Sequence, residues 1–112
     1  MAVKTKTKKP VAETLRERFG AQIDEWKRLH GNVFGYVSKD GKCCALRAPD
    51  LVILDACRAM SGGNGLRFDM ALLENCWLGG DEALKTDDKY RLGVFDWLST
   101  VIQKVEGELE EL

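Results

Sequence analysis

The sequence predicts an α+β fold that is mostly α-helical, with an N-terminal helix, one β-hairpin and then three helices. Three observations predict it: a helical spacing of apolar residues before residue 31, two β-prone runs around Asp40-Gly41, and further helical patterns from Pro49 onward. Of the 112 residues, 45% are hydrophobic and 31% are charged, a balance typical of a globular protein. We therefore expect a single domain over residues 11–112, preceded by a flexible basic tail.

The first helix is predicted from apolar residues that share one face. Their spacings of four, four, three and four residues stack them along a helix, and they are Leu15, Phe19, Ile23, Trp26 and His30. Gly31 and Asn32 end the pattern. Gly20 lies inside it and costs about 1 kcal/mol relative to alanine, so a start near Gln22 is an alternative.

The hairpin is predicted from the runs Val33–Val37 and Cys43–Arg47 on either side of Asp40-Gly41, a dipeptide that favours a two-residue type I′ turn. The faces that follow from this register are Val33, Val37, Cys44 and Leu46 on one side, and Phe34, Tyr36 and Arg47 on the other. Because a lone hairpin is marginally stable in water, we expect it to pack on helices or to pair with another chain along its edge.

Two helices are predicted directly after the hairpin. Pro49 suits a first helical turn, and the helix is expected to run to about Met60, before the glycine-rich residues 61–65. The next helix is expected over residues 68–78. Glycines at positions 79 and 80 are predicted to end it.

The last helix is predicted from Thr86, acting as a hydroxyl cap, to about Leu109. Its apolar residues cover an arc of about 160°, at 3.6 residues per turn. A surface helix needs a stripe of only about 100°. Either this helix is sandwiched inside the domain, or one edge, formed by Tyr90, Trp97 and Val101, faces a partner.

The four cysteines do not have the spacing of a metal site. Structural zinc sites take ligand pairs that lie two to four residues apart. Cys43 and Cys44 instead point to opposite faces of a strand, and Cys57 and Cys76 are single helical positions. We expect free, mostly buried thiols, with no metal ion or other cofactor.

The candidate catalytic patterns are incomplete. His30 has no nucleophile that the sequence places beside it. The glycine-rich run 61–65 lacks the lysine and hydroxyl of a phosphate-binding P-loop, and the acidic residues at 81, 82, 87 and 88 lack the alternating ligands of a calcium loop. We therefore predict no catalytic residue, and a protein that is not an enzyme.

Charge is polarised along a chain whose net charge is only −1. The first ten residues carry Lys4, Lys6, Lys8 and Lys9, so a small regulatory protein that binds nucleic acid through this arm is the alternative function. No apolar run approaches the roughly 20 residues that span a bilayer. The start does not have the pattern of a secretory signal, so we expect a cytoplasmic protein that does not bind membranes.

Three runs carry a resemblance to a known family. They are Leu-Arg-Ala-Pro-Asp at residues 46–50, Asn-Cys-Trp-Leu-Gly-Gly-Asp-Glu at residues 75–82 and Lys-Thr-Asp-Asp at residues 85–88. With the Trp26 helix and the hairpin, they resemble the tail assembly chaperones of long-tailed bacteriophages, particularly small forms from phages and prophages of gut Bacteroidales. The resemblance covers about residues 22–112. The basic extension before residue 11 is longer than in that family.

The resemblance implies a non-enzymatic helper in the cytoplasm of the bacterial host. Such a protein coats the long, aggregation-prone tape measure protein and helps to recruit tail tube protein. Self-association through the hairpin edge would let copies line up along one client as a homo-oligomer. The residues that we predict to bind a partner are Trp77, Leu78, Gly79 and Gly80 in the matching run, and Tyr90 and Trp97 on the last helix.

Overall fold

The computed structural model describes residues 10–102 and 104–112. It has the predicted α+β class, with helices predominating. The elements are α1 (Val11–Phe19), α2 (Ala21–His30), β1 (Val33–Val37), β2 (Cys43–Arg47), α3 (Leu51–Ser61), α4 (Gly65–Cys76), β3 (Trp77–Gly80), α5 (Ala83–Thr86), α6 (Asp88–Leu98) and a 3-10 turn (Ser99–Val101). Apart from Pro10, the predicted basic tail lies outside the described residues.

The sheet is antiparallel, with the strand order β1-β2-β3, and helices cover both of its faces. The N-terminal core, between the sheet and α1–α2, is formed by Leu15, Ile23, Trp26, Cys43 and Ala45. The C-terminal core, between the sheet and α3–α6, is formed by Cys44, Leu46, Cys57, Ala71, Leu72, Leu73, Cys76, Leu84, Val94 and Leu98. Strand β2 contributes to both cores, and its first four residues are at most 3% exposed.

The first predicted helix is two helices, because Gly20 breaks it. Gly20 has a φ of +56°, a conformation that other residues rarely adopt. Its N–H closes α1 on the carbonyl of Arg16, and its own carbonyl accepts the N–H of Ile23 at the start of α2. Ile23 and Trp26 are buried as the spacing predicts. His30 ends α2, with Nδ1 3.4 Å from a guanidinium nitrogen of Arg47.

The hairpin has both predicted strands, but its predicted register was wrong by one residue. Tyr36 pairs with Cys44, and Val37 pairs with Cys43. The loop has three residues, 39–41, since Ser38 and Lys42 form the last backbone pair and Gly41, at φ +95°, donates its N–H to the Ser38 carbonyl. Phe34 and Tyr36 therefore share a face with Cys44 and Leu46, whereas Val33 and Val37 share the opposite face with Cys43, Ala45 and Arg47.

Helix α3 forms close to its predicted bounds. Asp50 is its N-cap, and the carboxylate accepts the N–H of Ile53 at 2.9 Å. Pro49 lies just before that cap rather than in the first turn. Gly62, in the left-handed conformation, ends the helix as the glycine-rich run predicts.

The prediction that the next helix extends to residue 78 was wrong. Helix α4 ends at Cys76, and residues 77–80 form β3, which pairs with the second edge of β2. An unpaired β2 edge inside the domain would leave backbone N–H and carbonyl groups without partners, and β3 supplies those partners. This interaction between distant residues outweighs the local helical pattern.

The prediction of a helix from Thr86 to Leu109 was also wrong. Thr86 ends α5, and Asp87 caps α6, which ends at Leu98 and is followed by the 3-10 turn. Residues 104–112 are not helical. Glu106 and Glu110 lie four residues apart at the negative end of the predicted helix, where like charges repel and acidic side chains oppose the helix dipole.

Candidate partner-binding surface

Residues Trp77 and Leu78, predicted to bind a partner, lie in the sheet. Both are half-buried, with Trp77 against the C-terminal core and Leu78 against the N-terminal core. The Lys85 ammonium lies 4.9 Å from the centroid of the Trp77 ring, and this cation–π contact covers part of the exposed side of the ring. Packing therefore accounts for both side chains.

The two glycines of the same run are required by close packing. A Cβ at Gly79 would lie 3.2 Å from the ring of Trp26, so this ring packs directly against the Gly79 backbone. Gly80 has a φ of +141°, and a Cβ there would overlap the backbone of Cys43 and Cys44. An irregular register between Ala45 and Leu46 places this short strand against β2.

Asp81, which completes the run, joins α1 to the sheet. Its carboxylate accepts two hydrogen bonds from the Arg18 guanidinium, each 3.1 Å long, and a third from the N–H of Cys43 at 2.9 Å. The Arg18 hydrogen bond and then the Cys43 N–H lower the pKa of Asp81 below its ordinary value. The Arg18 guanidinium also lies 3.3 Å from the Cys43 sulfur.

Tyr90, on α6, contacts the hairpin loop. Its hydroxyl donates to the carboxylate of Asp40, and the ammonium groups of Lys42 and Lys89 lie 5.8 and 5.2 Å from its ring centroid. Hydrogen bonds from Ser38 and Tyr90 lower the pKa of Asp40, and the same bond to Asp40 raises the pKa of Tyr90. Tyr90 therefore holds the loop against α6.

Trp97 differs from the other five predicted residues, because 59% of its side chain is exposed. It lies at an open groove of about 420 Å³ between edge strand β1, the start of α1 and the end of α6. We call this the Trp97 groove, and it is lined by Val11, Phe34, Gly35, Tyr36, Val37, Ser38, Lys39, Leu46, Val94, Trp97, Thr100 and Val101.

The packing of α6 against β1 creates the Trp97 groove. A Cβ at Gly93 would lie 2.9 Å from the Tyr36 hydroxyl, so the absence of a side chain there lets the helix approach the strand. Val101, predicted to face a partner, is only 4% exposed and closes the groove from below. The unpaired edge strand β1 forms one wall of the groove, and it belongs to the hairpin that was expected to pack on helices or to pair with another chain along its edge.

A second apolar surface lies on the helices that cover the C-terminal core. Leu66 and Met70 of α4 and Leu92 and Phe95 of α6 line a groove of about 190 Å³, which we call the α4–α6 groove. An Arg91–Asp88 ion pair forms part of its wall. Large apolar side chains are exposed along these helices and along α3, namely Leu51, Val52, Met60, Leu66, Met70 and Leu92.

The cysteines lie where thiol chemistry is suppressed. All four are free and buried, as predicted. Burial raises the pKa of Cys44 to about 12 and that of Cys76 to about 11, and burial also raises the pKa of Cys57. Within the described ranges, no group of three or more histidine, cysteine, aspartate and glutamate side chains is arranged to hold a metal ion.

Comparisons with known proteins give no match: no family model fits the sequence, and no characterised protein or solved structure is significantly similar to it. None of the helices in the part of the chain that the structure describes is long and apolar enough to cross a membrane.

Proposed function

We propose that this protein is a non-enzymatic tail assembly chaperone of a phage or prophage, which binds the tape measure protein and assists assembly of the tail tube. The observation that carries the proposal is the exposed apolar surface over α3, α4 and α6. The resemblance described above supplies the identity of the client. The apolar surface supplies a physical means of binding it.

The exposed side chains are large and lie outside both cores. Leu51 and Val52 are 82% and 77% exposed, Met60 is 65% exposed, and Leu66 and Leu92 are 54% and 59% exposed. Single exposed apolar residues are common, but a set concentrated on neighbouring helices is typical of a protein-binding surface. These side chains contribute little to the cores, so contact with a partner explains their apolar character better than packing within the fold does.

The chemistry of the α4–α6 groove fits one face of an amphipathic helix. Leu66, Leu92 and Phe95 form apolar walls, and the flexible thioether side chain of Met70 can adapt to different apolar side chains of a client. The Arg91–Asp88 pair gives the groove a polar wall. A helix that lays apolar residues at spacings of three and four into such a groove is a common mode of recognition, and it suits a long helical client.

The proposal is tested by examining the genes beside this one for the long, helix-rich tape measure protein that it predicts, and by co-expressing the chain with that protein. We expect the wild-type chain to keep fragments of that protein soluble and to co-purify with them. The double variant Leu66→Ser, Leu92→Ser is expected to lose at least about tenfold in affinity, since it removes apolar area from both sides of the groove. Affinity is measured by calorimetry with a soluble client fragment.

A matched control comes from α2, on the opposite face of the sheet. Leu29 is 57% exposed, close to the value for Leu92, and does not line the α4–α6 groove. Leu29→Ser is expected to bind the client like the wild-type chain. Equal losses in the control and the double variant would contradict the assigned surface, and a wild-type chain that leaves the client insoluble and unbound would overturn the proposed function.

A further inference from the structure

Residues 104–112 do not pack on the domain. Val105, Leu109 and Leu112 are 99%, 101% and 116% exposed, so three large aliphatic side chains have no apolar neighbours. Exposing them fully to water is unfavourable relative to burying them on an apolar surface. This segment, which we call the C-terminal segment, therefore has a strong driving force to dock on an apolar surface.

The sequence of the C-terminal segment has a pattern that suits docking as a helix. The apolar residues are four and three residues apart, which places all three on one face of a helix. The other faces carry four glutamates, at positions 106, 108, 110 and 111. Gly107 and the crowded glutamates oppose a helix in isolation, so helix formation requires a docking partner.

The Trp97 groove offers an apolar surface with complementary charge. Trp97 and Val11 are 59% and 42% exposed at its rim, and Lys39 also lines it. Lys39 places a positive charge at the groove, whereas the C-terminal segment has four glutamates and one lysine, and opposite charges within about a Debye length attract.

We propose that the Trp97 groove binds the C-terminal segment of a second copy of this chain. Val105, Leu109 and Leu112 lie against Trp97, Phe34 and Val37, and glutamates of the segment face Lys39. Because each copy has one groove and one segment, reciprocal exchange forms a closed two-fold dimer. Exchange onto a third copy forms a longer array by the same contact.

Chain connectivity favours a second copy over the groove of the same chain. Thr100 and Val101 line the groove at the point where the chain leaves it. Only residues 103 and 104 separate Ile102, which packs on the C-terminal core, from Val105. In the structure the segment does not turn back into its own groove, since Val105 is 99% exposed although it follows the groove-lining Val101 by only four residues, so we assign the groove to a second copy.

This contact is independent of the proposed function, because it involves only copies of this chain. Failure of client binding would leave the self-association intact, and failure of self-association would leave client binding by a single copy intact. The two proposals are therefore distinguished by separate measurements.

The test measures self-association of the full chain by sedimentation equilibrium over a wide concentration range. We expect the wild-type chain to dimerise, and salt to weaken the dimer. The triple variant Val105→Ser, Leu109→Ser, Leu112→Ser changes side chains that do not contribute to the fold, and it is expected to raise the dissociation constant at least about tenfold. Trp97→Ser is expected to have a similar effect, and Leu29→Ser none.

A mixing experiment identifies the contact itself. The triple variant keeps an intact groove, and Trp97→Ser keeps an intact segment, so a mixture of the two is expected to form heterodimers more strongly than either variant forms homodimers. A monomeric wild-type chain at every concentration would overturn the proposal, including the case where the segment folds onto its own groove. Wild-type dimerisation by the triple variant, or no gain on mixing, would also overturn it.

Discussion

The guanidinium of Arg18 and the carboxylate of Asp81 form a bidentate ion pair, with two hydrogen bonds of 3.1 Å across 63 positions of the sequence. The same carboxylate accepts the N–H of Cys43, while the N–H of Asp81 donates to the Cys43 carbonyl at 2.9 Å. One side chain thus connects α1, β2 and the end of β3. The packing of α1 on the sheet depends on polar contacts as well as on Leu15.

Asp81→Asn is expected to lower the free energy of unfolding by about 1 kcal/mol at pH 7, because the amide removes the ion pair but can still accept the Cys43 N–H. The folded state lowers the pKa of Asp81. Its contribution is therefore complete above the unfolded pKa of about 3.9 and is lost as the pH falls through the folded value. Urea unfolding of both chains from pH 7 to pH 2.5 measures the difference.

The control for this ion pair is Asp24→Asn. Asp24 also pairs with an arginine, Arg16, but its side chain is 65% exposed, against 30% for Asp81. We expect a smaller effect, because water and salt screen an exposed pair. A stability difference for Asp81→Asn that does not shrink below pH 4 would contradict the electrostatic explanation.

Gly80→Ala is expected to destabilise the protein by about 2–4 kcal/mol, because the new Cβ combines an unfavourable φ with overlap of the β2 backbone. Gly65→Ala is the matched control. A Cβ at Gly65 meets open space, and alanine favours the first turn of α4. Thermal unfolding of the two variants should differ widely, and a normal midpoint for Gly80→Ala would show that residues 77–80 are not held as described.

Trp97→Ala is expected to change the free energy of unfolding by less than about 1 kcal/mol at low protein concentration, since most of the side chain is exposed. Trp26→Ala, in contrast, empties the centre of the N-terminal core and is expected to cost about 3–5 kcal/mol. Chemical unfolding followed by circular dichroism compares them. If Trp97→Ala unfolds the protein, Trp97 is a core residue and its assignment to an interface is wrong.

The four thiols are expected to resist a disulfide reagent at pH 8 while the chain is folded, and to react together when it unfolds. With pKa values of about 12 and 11, Cys44 and Cys76 have thiolate fractions of about 10⁻⁴ and 10⁻³ at that pH. Burial also blocks access to all four. Absorbance of the released thiol counts the reacting groups, and rapid reaction of one thiol in the folded chain would contradict this environment.

Local patterns were sufficient for the fold class and for much of the N-terminal half. The spacing of Ile23 and Trp26 identified the face of α2 that is buried, and the runs on either side of Asp40-Gly41 identified both strands of the hairpin. The register was missed because the same dipeptide fits a two-residue and a three-residue loop. In the structure Ser38 and Lys42 form the last backbone pair, which leaves a three-residue loop. That pairing also sets the register that places side chains in the cores on both faces of the sheet.

Features that depend on distant residues were not predictable from local patterns. Trp77 and Leu78 continue a helical pattern, and only the free edge of β2 makes them a strand. The end of α6 was missed for a similar reason. Val105 and Leu109 continue the apolar stripe of α6 in the sequence, but they pack on no apolar surface in the structure. Among the residues predicted to bind a partner, Trp97 alone is mostly exposed, so packing within the fold does not account for most of its side chain.

The burial of β2 on both faces has a consequence for the choice of side chains at its centre. Cys43, Cys44 and Ala45 lie between two helical layers, and Gly79 and Gly80 pass beside them. Small side chains set a short distance between the layers, so cysteine here acts through its volume rather than its reactivity. The size of the side chains on β2 therefore sets the spacing of the helices on both faces of the sheet, and larger side chains there would push both helical layers outward at once.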